Sequence, residues 1–410
     1  MVISFVSIFI LFFVFYKKGV NVFTLTVGGF FFYYYPIIFF NEINWLSDGL
    51  YSSKVTEISR YCIFILLIFY AVWALWTPKL KYEYEVDEVF LSKNLKITAK
   101  VCFAISSLMA ILLLRINANI GAESKVDLMA GVSYELKIFE VSSCIFFITT
   151  CVLRKKFYFI FSIFFATLSI WFGFRFLIVE LLVIYLILNP ISGVKKTFSF
   201  LVVIVFLTVF LTLTKLLFYK IPNLDSAVEI IGNQLNGSSG LEGLSIANSE
   251  SSSVSALFNE IIKNEFHIGL KYFYNIIISM LPAGRLFGTS QLQGFGEMYK
   301  SSLGVPGMDS FGSSMYGIGY AMFGYVGLFL FFIVHVFSVT LIYRRIKSKR
   351  YFYLKLVLIF WLSISIFYGH RNDIIYNLSL IKVALLVIFA CILYSSFSKL
   401  YSRKTNRYKS

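Results

Sequence analysis

Residues 197–240 read TFSFLVVIVFLTVFLTLTKLLFYKIPNLDSAVEIIGNQLNGSSG, and this stretch contains the change in composition that decides the fold. Residues 197–218 are almost entirely apolar, and a helix of about 20 such residues crosses a bilayer. After Tyr219 the composition turns polar, and it stays so as far as Gly312. Structureless connectors of that length are uncommon in compact proteins. We therefore expect residues 219–312 to form a large loop that carries the function.

Apolar runs flank this loop on both sides. Hydrophobic residues make up 59% of the 410 residues and charged residues 14%, and the mean hydropathy is +0.80. The runs do not alternate as barrel strands do, so helices must satisfy the backbone within the bilayer. The sequence predicts an all-α integral membrane protein, a polytopic bundle of about 11 (10–12) transmembrane helices. The predicted spans lie near 2–16, 20–40, 61–77, 98–116, 136–153, 157–174, 176–190, 197–218, 315–343, 352–369 and 374–397.

The formal net charge of +16 reflects membrane orientation and does not indicate nucleic-acid binding. Lysine and arginine cluster in short connectors that all fall on one side of the predicted bundle, such as Arg154–Lys156 and Arg344–Arg350. The positive-inside rule makes that side cytoplasmic. The loop 219–312 has five basic and eight acidic residues, a net charge of 5 − 8 = −3. It is therefore predicted to lie outside.

These patterns divide the chain into four parts. Residues 1–218 form the N-terminal transmembrane helices, 219–314 the outer loop, 315–398 the C-terminal transmembrane helices and 399–410 a basic cytoplasmic tail. The five cysteines lie in or beside apolar runs, and their spacing is not that of a metal site. We expect neither a metal nor a cofactor.

Apolar residues recur at three- and four-residue steps within the outer loop, from Val254 onward. This spacing predicts one amphipathic helix that begins after Ser251–Ser253 and ends before Pro282. Such a helix either lies at the membrane surface or caps the bundle.

Three arginines are predicted at the outer mouths of spans, where the positive-inside rule gives no reason for them. Arg175 lies between two apolar runs, Arg285 follows the amphipathic helix, and Arg371 precedes the last span. Each either marks a helix end or contacts lipid headgroups, or holds a phosphate through its planar fork of donors. Glu180 lies inside an apolar run, where an ionisable group is either functional or hydrogen-bonded to a neighbouring helix.

A polar turn, Gly369-His-Arg-Asn-Asp373, separates the last two spans. It can be a plain turn, or His370 or Asp373 can accept a proton beside a phosphate. Glu297 is the alternative proton acceptor, and Tyr299 follows it in a glycine-rich segment. His335 stands alone in an apolar span, and we expect it to be a core histidine whose ring nitrogens are satisfied.

Three short motifs carry a resemblance to a known family. Gly173-Phe-Arg175 opens a span, Gly296-Glu297-Met298-Tyr299 precedes the next, and the Arg371 turn precedes the last. Together with the many aromatic-rich spans and one large late outer loop, the chain resembles the O-antigen polymerase (Wzy-type) family, the oligosaccharide repeat-unit polymerases of bacterial surface polysaccharides.

The resemblance implies a glycosyltransferase of the bacterial cytoplasmic (inner) membrane that uses no nucleotide sugar. The donor would be a glycan on undecaprenyl pyrophosphate and the acceptor a lipid-linked repeat unit of an O-antigen or capsule, with a chain-length regulator protein as a further partner. The pyrophosphate would be held by Arg175, Arg285 and Arg371. An O-antigen ligase and a lipid-linked oligosaccharide flippase are the alternatives, and the large loop counts against the flippase.

Overall fold

The computed structural model describes residues 2–44, 52–77, 88–119, 125–171, 174–202, 250–281, 294–303, 314–347 and 352–407. The described chain is almost entirely helical, because apolar segments in a membrane must satisfy their backbone groups internally. Residues 194–202 are helical, and the numbered helices are α1 Val2–Lys18, α2 Val22–Phe39, α3 Glu57–Trp76, α4 Glu88–Asn119, α5 Lys125–Leu153, α6 Lys156–Trp171, α7 Phe176–Leu188, α8 Glu250–Lys263, α9 Lys271–Met280, α10 Phe295–Leu303, α11 Met315–Lys347, α12 Phe352–Ile366 and α13 Ile374–Arg407.

Among the described residues, six helices are long and apolar enough to cross a membrane. They are α2, α3, most of α4 and α5, α11 and the apolar part of α13, while α6, α7 and α12 are shorter apolar helices. The chain is thus an all-α, multi-pass membrane protein, as predicted. Ten of the eleven predicted spans coincide with helices, and the other, 197–218, lies outside the described residues beyond residue 202.

The helices belong to two compact units. The first comprises Met1–Lys81, Asn189–Ile342 and Ser363–Leu378, and the second comprises Tyr82–Leu188, Tyr343–Leu362 and Ser379–Ser410. In the second unit α4 packs along α5, with α6 and α7 against α5. Ser106 and Ser142 form a hydrogen bond of 2.8 Å across the α4–α5 contact. Hydrogen bonds between side chains help helices to associate within a membrane, where the surrounding lipid is itself apolar and the hydrophobic effect gives little driving force.

Helix α2 is the centre of the first unit, where α1, α3 and α8 pack against it. Its N-terminus has a capping box, in which Asn21 accepts from the backbone of Thr24 and the Thr24 hydroxyl pairs with the backbone of Asn21. Gly29 lets the carbonyl of Ile366 approach so closely that a Cβ would lie 2.4 Å from it. Most of helix α2 is therefore buried.

Helix α11 is broken near its start. Phe323 and Gly324 leave the helical conformation, and Gly324 has a φ of 62°. Gly319 and Gly327 face each other across this break, and a Cβ on Gly327 would lie 1.8 Å from the Gly319 carbonyl oxygen. Residues 315–322 thus pack against the beginning of the longer segment that follows, which glycine alone permits at these positions.

The predicted single amphipathic helix is two helices, α8 and α9, so that prediction was wrong in its extent. Glu265 and Gly269 adopt left-handed φ values of 47° and 57°, and the connection between them breaks the helix. Helix α8 also begins earlier than predicted and includes Ser251 and Ser252, whose side chains are buried. The apolar repeat continues across the break, which explains why sequence periodicity did not reveal it.

A short antiparallel ribbon, not predicted, connects α2 to α3. Its strands are β1 Glu42–Asn44 and β2 Ser52–Lys54, with Ile43 opposite Ser53. Helix α8 packs on both strands.

Candidate functional site

The turn between α12 and α13 lies in the first unit and carries three of the predicted site residues. Tyr368–His370 form a single 3-10 turn, and the amides of Arg371 and Asn372 donate to the Tyr368 carbonyl. Asp373 then starts α13, and its Oδ1 accepts from the Ile375 amide at 2.8 Å. A carboxylate suits this position because it pairs with unsatisfied amides at a helix N-terminus.

The Asp373 carboxylate joins three helices. Its Oδ1 accepts a second hydrogen bond from the Tyr272 hydroxyl of α9. Its Oδ2 accepts from the Phe295 amide at the start of α10, at 2.6 Å. An ionised carboxylate accepts about four hydrogen bonds. Asp373 accepts two hydrogen bonds on Oδ1 and one on Oδ2, so Oδ2 has the capacity to accept one more.

Burial raises the pKa of the Asp373 carboxyl above its usual value. The hydrogen bonds from Tyr272, Phe295 and Ile375 act in the opposite direction, because they stabilise the ionised form. Burial, followed by the negative charge of Asp373, raises the pKa of Tyr272 well above 10. Tyr272 therefore keeps its proton at neutral pH and donates it to Asp373. A half-buried carboxylate with a raised pKa is a suitable general base.

His370 points away from Asp373 into a cluster of aromatic rings. Its side chain is fully buried, stacks on Tyr316 at 6.2 Å and meets His335 edge-on at 4.9 Å. The rings of Phe30 and Tyr70 also contact it. Neither ring nitrogen makes a hydrogen bond of acceptable geometry to any described residue. A substrate hydroxyl cannot reach this imidazole unless the cluster opens.

A chain of hydrogen bonds runs through the same cluster. The Nε2 of His335 lies 2.9 Å from the Ser365 carbonyl oxygen and must donate to it, since a carbonyl only accepts. In the neutral ring Nδ1 is then an acceptor, and the Tyr70 hydroxyl donates to it at 2.5 Å. The Tyr316 hydroxyl in turn bonds to Tyr70. His335 is therefore a satisfied core histidine, as predicted.

The break in α11 makes this chain possible. In a straight helix, Tyr316 and His335 would lie roughly 28 Å apart along the axis, at 1.5 Å per residue. Both contact Tyr70, since residues 315–322 fold back at Gly324. A second bond, 2.7 Å between the Tyr34 and Ser314 hydroxyls, holds the folded-back segment to α2.

Helix α8 is anchored to the ribbon by two polar side chains. Asn259 is fully buried, and its amide nitrogen donates to the Ser53 hydroxyl at 2.7 Å while its oxygen accepts from the Thr56 amide at 2.9 Å. Glu260 accepts from the Ser53 hydroxyl at 2.6 Å and pairs with Lys263 at 3.2 Å. These bonds fix the part of the loop that packs on α2.

The three predicted arginines differ in how far the structure describes them. Arg371 is half-buried, and its guanidinium carbon lies 6.0 Å from the centre of the Tyr368 ring. Arg175 directly precedes α7 in the second unit, is half-buried, and shares that unit with the fully buried Glu180. Arg285 lies outside the described residues.

The segment that carries Glu297 and Tyr299 is helix α10, which meets Asp373 through the Phe295 amide. Tyr299 is buried, packs edge-on against Phe266 at 4.9 Å, and has its pKa raised by burial to about 12. Of Glu297, the structure describes the helical backbone and not the side chain. The segment Gly296–Tyr299 and the turn that contains Arg371 are thus brought together, and these are two of the three motifs that carry the resemblance.

Sequence reasoning missed Tyr34, Tyr70, Tyr272 and Tyr316. Tyrosine is so common here, at 27 residues, that no single one stands out. One signal in the sequence could have found them. A tyrosine within an apolar segment carries a hydroxyl group, and that hydroxyl needs a hydrogen-bond partner when it is buried. Among the described residues, no group of three His, Cys, Asp or Glu side chains could hold a metal ion.

Comparisons with protein-family models, with curated proteins and with solved structures give no match for this chain.

Proposed function

We propose that the chain polymerises lipid-linked oligosaccharide repeat units at the outer face of the bacterial cytoplasmic membrane. The donor is a growing glycan on undecaprenyl pyrophosphate, and the acceptor is a single lipid-linked repeat unit. In this proposal about 11 helices span the membrane, with the basic connectors and the C-terminus in the cytoplasm and the loop 219–314 outside.

The contact between Asp373 and the start of α10 carries the proposal. It joins the turn that contains Arg371 to the segment Gly296-Glu297-Met298-Tyr299, although about 75 residues separate them in the chain. These are two of the segments through which the chain resembles the polymerase family. Their meeting supports a common role in one site.

In the proposed reaction, an acceptor hydroxyl oxygen attacks the anomeric carbon of the donor's reducing-end sugar. The bond from that carbon to the pyrophosphate oxygen breaks, and undecaprenyl pyrophosphate leaves with the electron pair. Asp373 takes the hydroxyl proton on Oδ2, the oxygen with capacity for a further hydrogen bond. We prefer Asp373 to His370, because aromatic rings enclose the imidazole. Glu297 remains the alternative acceptor.

Arg371 binds the departing pyrophosphate in this proposal. It lies two residues before Asp373 on the same turn, so one turn would supply both the proton acceptor and the charge that stabilises the leaving group. The roles of Arg175 and Arg285 in binding the pyrophosphate are proposed from the sequence alone. The same holds for a role of Glu180 in the site and for a chain-length regulator as a partner.

The test is elongation of a lipid-linked single repeat unit by the purified protein in liposomes. Arg371→Ala should lower the rate roughly 100- to 1000-fold, the usual cost of losing one preorganised donor. Arg371→Lys should also impair it, because an ammonium lacks the planar bidentate fork. Arg175→Ala should behave like Arg371→Ala. Arg345→Ala, an exposed position on α11, is the control and should be unaffected.

The alternatives predict other products. Transfer of the glycan to lipid A core would indicate a ligase, and movement of the lipid-linked substrate across the membrane without bond formation would indicate a flippase. Deletion of the gene gives an independent result. Single-repeat surface glycan supports a polymerase, and complete absence of surface glycan contradicts it.

A further inference from the structure

Helix α9 has an apolar face that points away from the protein. Its exposed apolar side chains recur at three- and four-residue steps and are Leu270, Phe273, Tyr274, Ile277, Met280 and Leu281. That spacing places them on one side of the helix. An exposed apolar stripe of this kind marks an interaction surface.

The opposite face of α9 is already occupied. Tyr272, Ile276 and Ser279 are buried, and the Tyr272 hydroxyl donates to Asp373. The helix therefore packs on its unit through one face, and the apolar residues of the other face must be explained by a different contact.

The segment that leads into α9 lies against the beginning of a membrane span. Just before α9, the Ile268 amide donates to the Ala321 carbonyl at 2.9 Å, and His267 stacks on Tyr320 at 5.5 Å. Tyr320 contacts Tyr325, where the exposed apolar face of α11 begins. Because α11 is long and apolar enough to cross the membrane, we expect that face to border lipid.

The composition of α9 fits the boundary between lipid and water. It reads KYFYNIIISM, with one basic residue, no acidic residue and three aromatic residues in its first turn. Tyrosine and other aromatic residues are enriched at membrane interfaces, and lysine is attracted to anionic headgroups. Helices of this kind lie in the interface plane with their apolar face among the acyl chains.

We propose that α9 lies in the membrane interface, with its outward face against lipid acyl chains and its inward face holding Asp373 through Tyr272. The sequence left two alternatives for this segment, a helix that caps the bundle and a helix at the membrane surface. In this proposal α8 packs on the bundle and α9 lies at the membrane surface. This inference depends on the membrane spans and is independent of the glycan reaction.

The test uses the full-length protein with its five cysteines replaced and single cysteines placed at Phe273, Ile277 or Lys263. Each is labelled with an environment-sensitive fluorophore, and the protein is reconstituted in nanodiscs of phosphatidylcholine and phosphatidylglycerol. A doxyl lipid labelled near the headgroup end of its chain reports lipid contact, and iodide reports water contact. The exposed, charged Lys263 on α8 is the matched control.

At positions 273 and 277 we expect blue-shifted emission and at least about twofold stronger quenching by doxyl lipid than by iodide, with the reverse at position 263. Stronger quenching by iodide at 273 and 277 would overturn the proposal. So would protection from both quenchers, which would indicate a protein partner or a second copy on this face. Elution as a single species and an unchanged unfolding temperature show that each labelled variant is folded.

Discussion

Asp373 receives its three hydrogen bonds from three parts of the chain: the α9 side chain Tyr272, the α10 amide of Phe295 and its own helix through Ile375. Hydrogen bonds to a charged group are roughly twice as strong as neutral ones. The half-buried carboxyl nevertheless has a raised pKa, because the effect of desolvation is larger than that of these bonds. One residue thus connects α9, α10 and α13, and it keeps a raised pKa while it does so.

Tyr272→Phe removes one of these donors without changing the ring, and should lower the free energy of unfolding by about 1.5–3 kcal/mol at neutral pH. Tyr274→Phe on the same helix is the control and should cost almost nothing, because its side chain is exposed. Thermal unfolding of both variants in detergent micelles gives the comparison. Equal unfolding temperatures would show that the bond to Asp373 does not stabilise the protein.

We also predict that the effect of Tyr272→Phe depends on pH. The sign of this dependence follows from the upward shift in the pKa of Asp373. The folded-state pKa of Asp373 lies above its unfolded value of about 3.9, so stability is lost as pH rises through the folded pKa. Removing the Tyr272 donor raises that pKa further, so the total loss becomes larger and extends to higher pH. The deficit of Tyr272→Phe should therefore be largest at neutral pH and shrink toward pH 4 (roughly the unfolded pKa). A deficit that does not change with pH would contradict the assignment.

Helix α8 acts as a packing element more than as a surface helix. Val254, Leu257, Phe258 and Ile261 are fully buried, and the Ser255 hydroxyl donates to the Tyr33 carbonyl of α2 at 2.8 Å. The helix carries its polar contacts to the β1–β2 ribbon along one edge. Helix α8 is thus fixed against α2, α3 and the ribbon.

Neighbouring positions 262 and 263 test this packing. Ile262 is buried, whereas Lys263 is exposed and pairs with Glu260. Ile262→Lys should destabilise the protein by more than about 3 kcal/mol, because it buries an unpaired charge. Lys263→Glu should cost at most about 1 kcal/mol, as expected for a surface ion pair. Unfolding temperature and membrane yield measure both. Similar tolerance at the two positions would refute the docking of α8.

The protein is a multi-pass, all-α membrane protein whose two compact units are each assembled from distant parts of the chain. The first unit contains the α12–α13 turn, the break in helix α11 and the helices α8, α9 and α10. Within this unit Tyr316, Tyr70 and His335 form a chain of hydrogen bonds in an apolar core, where a buried polar group needs a well-placed partner. The proposed orientation puts the loop side of this unit outside the cell.

Cysteine labelling tests that orientation. Single cysteines at Asn236 and Lys300 should react with an impermeant maleimide in intact spheroplasts, while those at Lys81 and Lys347 should react only after lysis. The reason is the clustering of lysine and arginine on one side, which the positive-inside rule assigns to the cytoplasm. Asn236 and Lys81 lie outside the described residues, so their accessibility is predicted from sequence. Labelling at position 81 but not at 300 would reverse the topology.

Length and hydropathy were sufficient for the fold class, since runs such as Asn94–Arg115 and Ile374–Ser398 are long and apolar enough to cross a membrane. They were also sufficient to select the turn with His370, Arg371 and Asp373, because charged groups between spans are conspicuous. They did not separate the roles of its residues. His370 and Asp373 differ by three positions, yet one is enclosed by rings from α2, α3 and α11 and the other receives donors from α9 and α10.

Tertiary structure alone decided the break between α8 and α9 and the fold-back of α11. At both places the apolar periodicity runs on, while a few left-handed backbone angles, at Glu265, Gly269 and Gly324, change the direction of the chain. Periodicity records which side chains avoid water or contact lipid, and that requirement is the same before and after a bend. The direction of a bend depends on which surfaces meet across it. Tyr70 therefore finds Tyr316 and His335 together only in the folded protein, through contacts that no local pattern encodes.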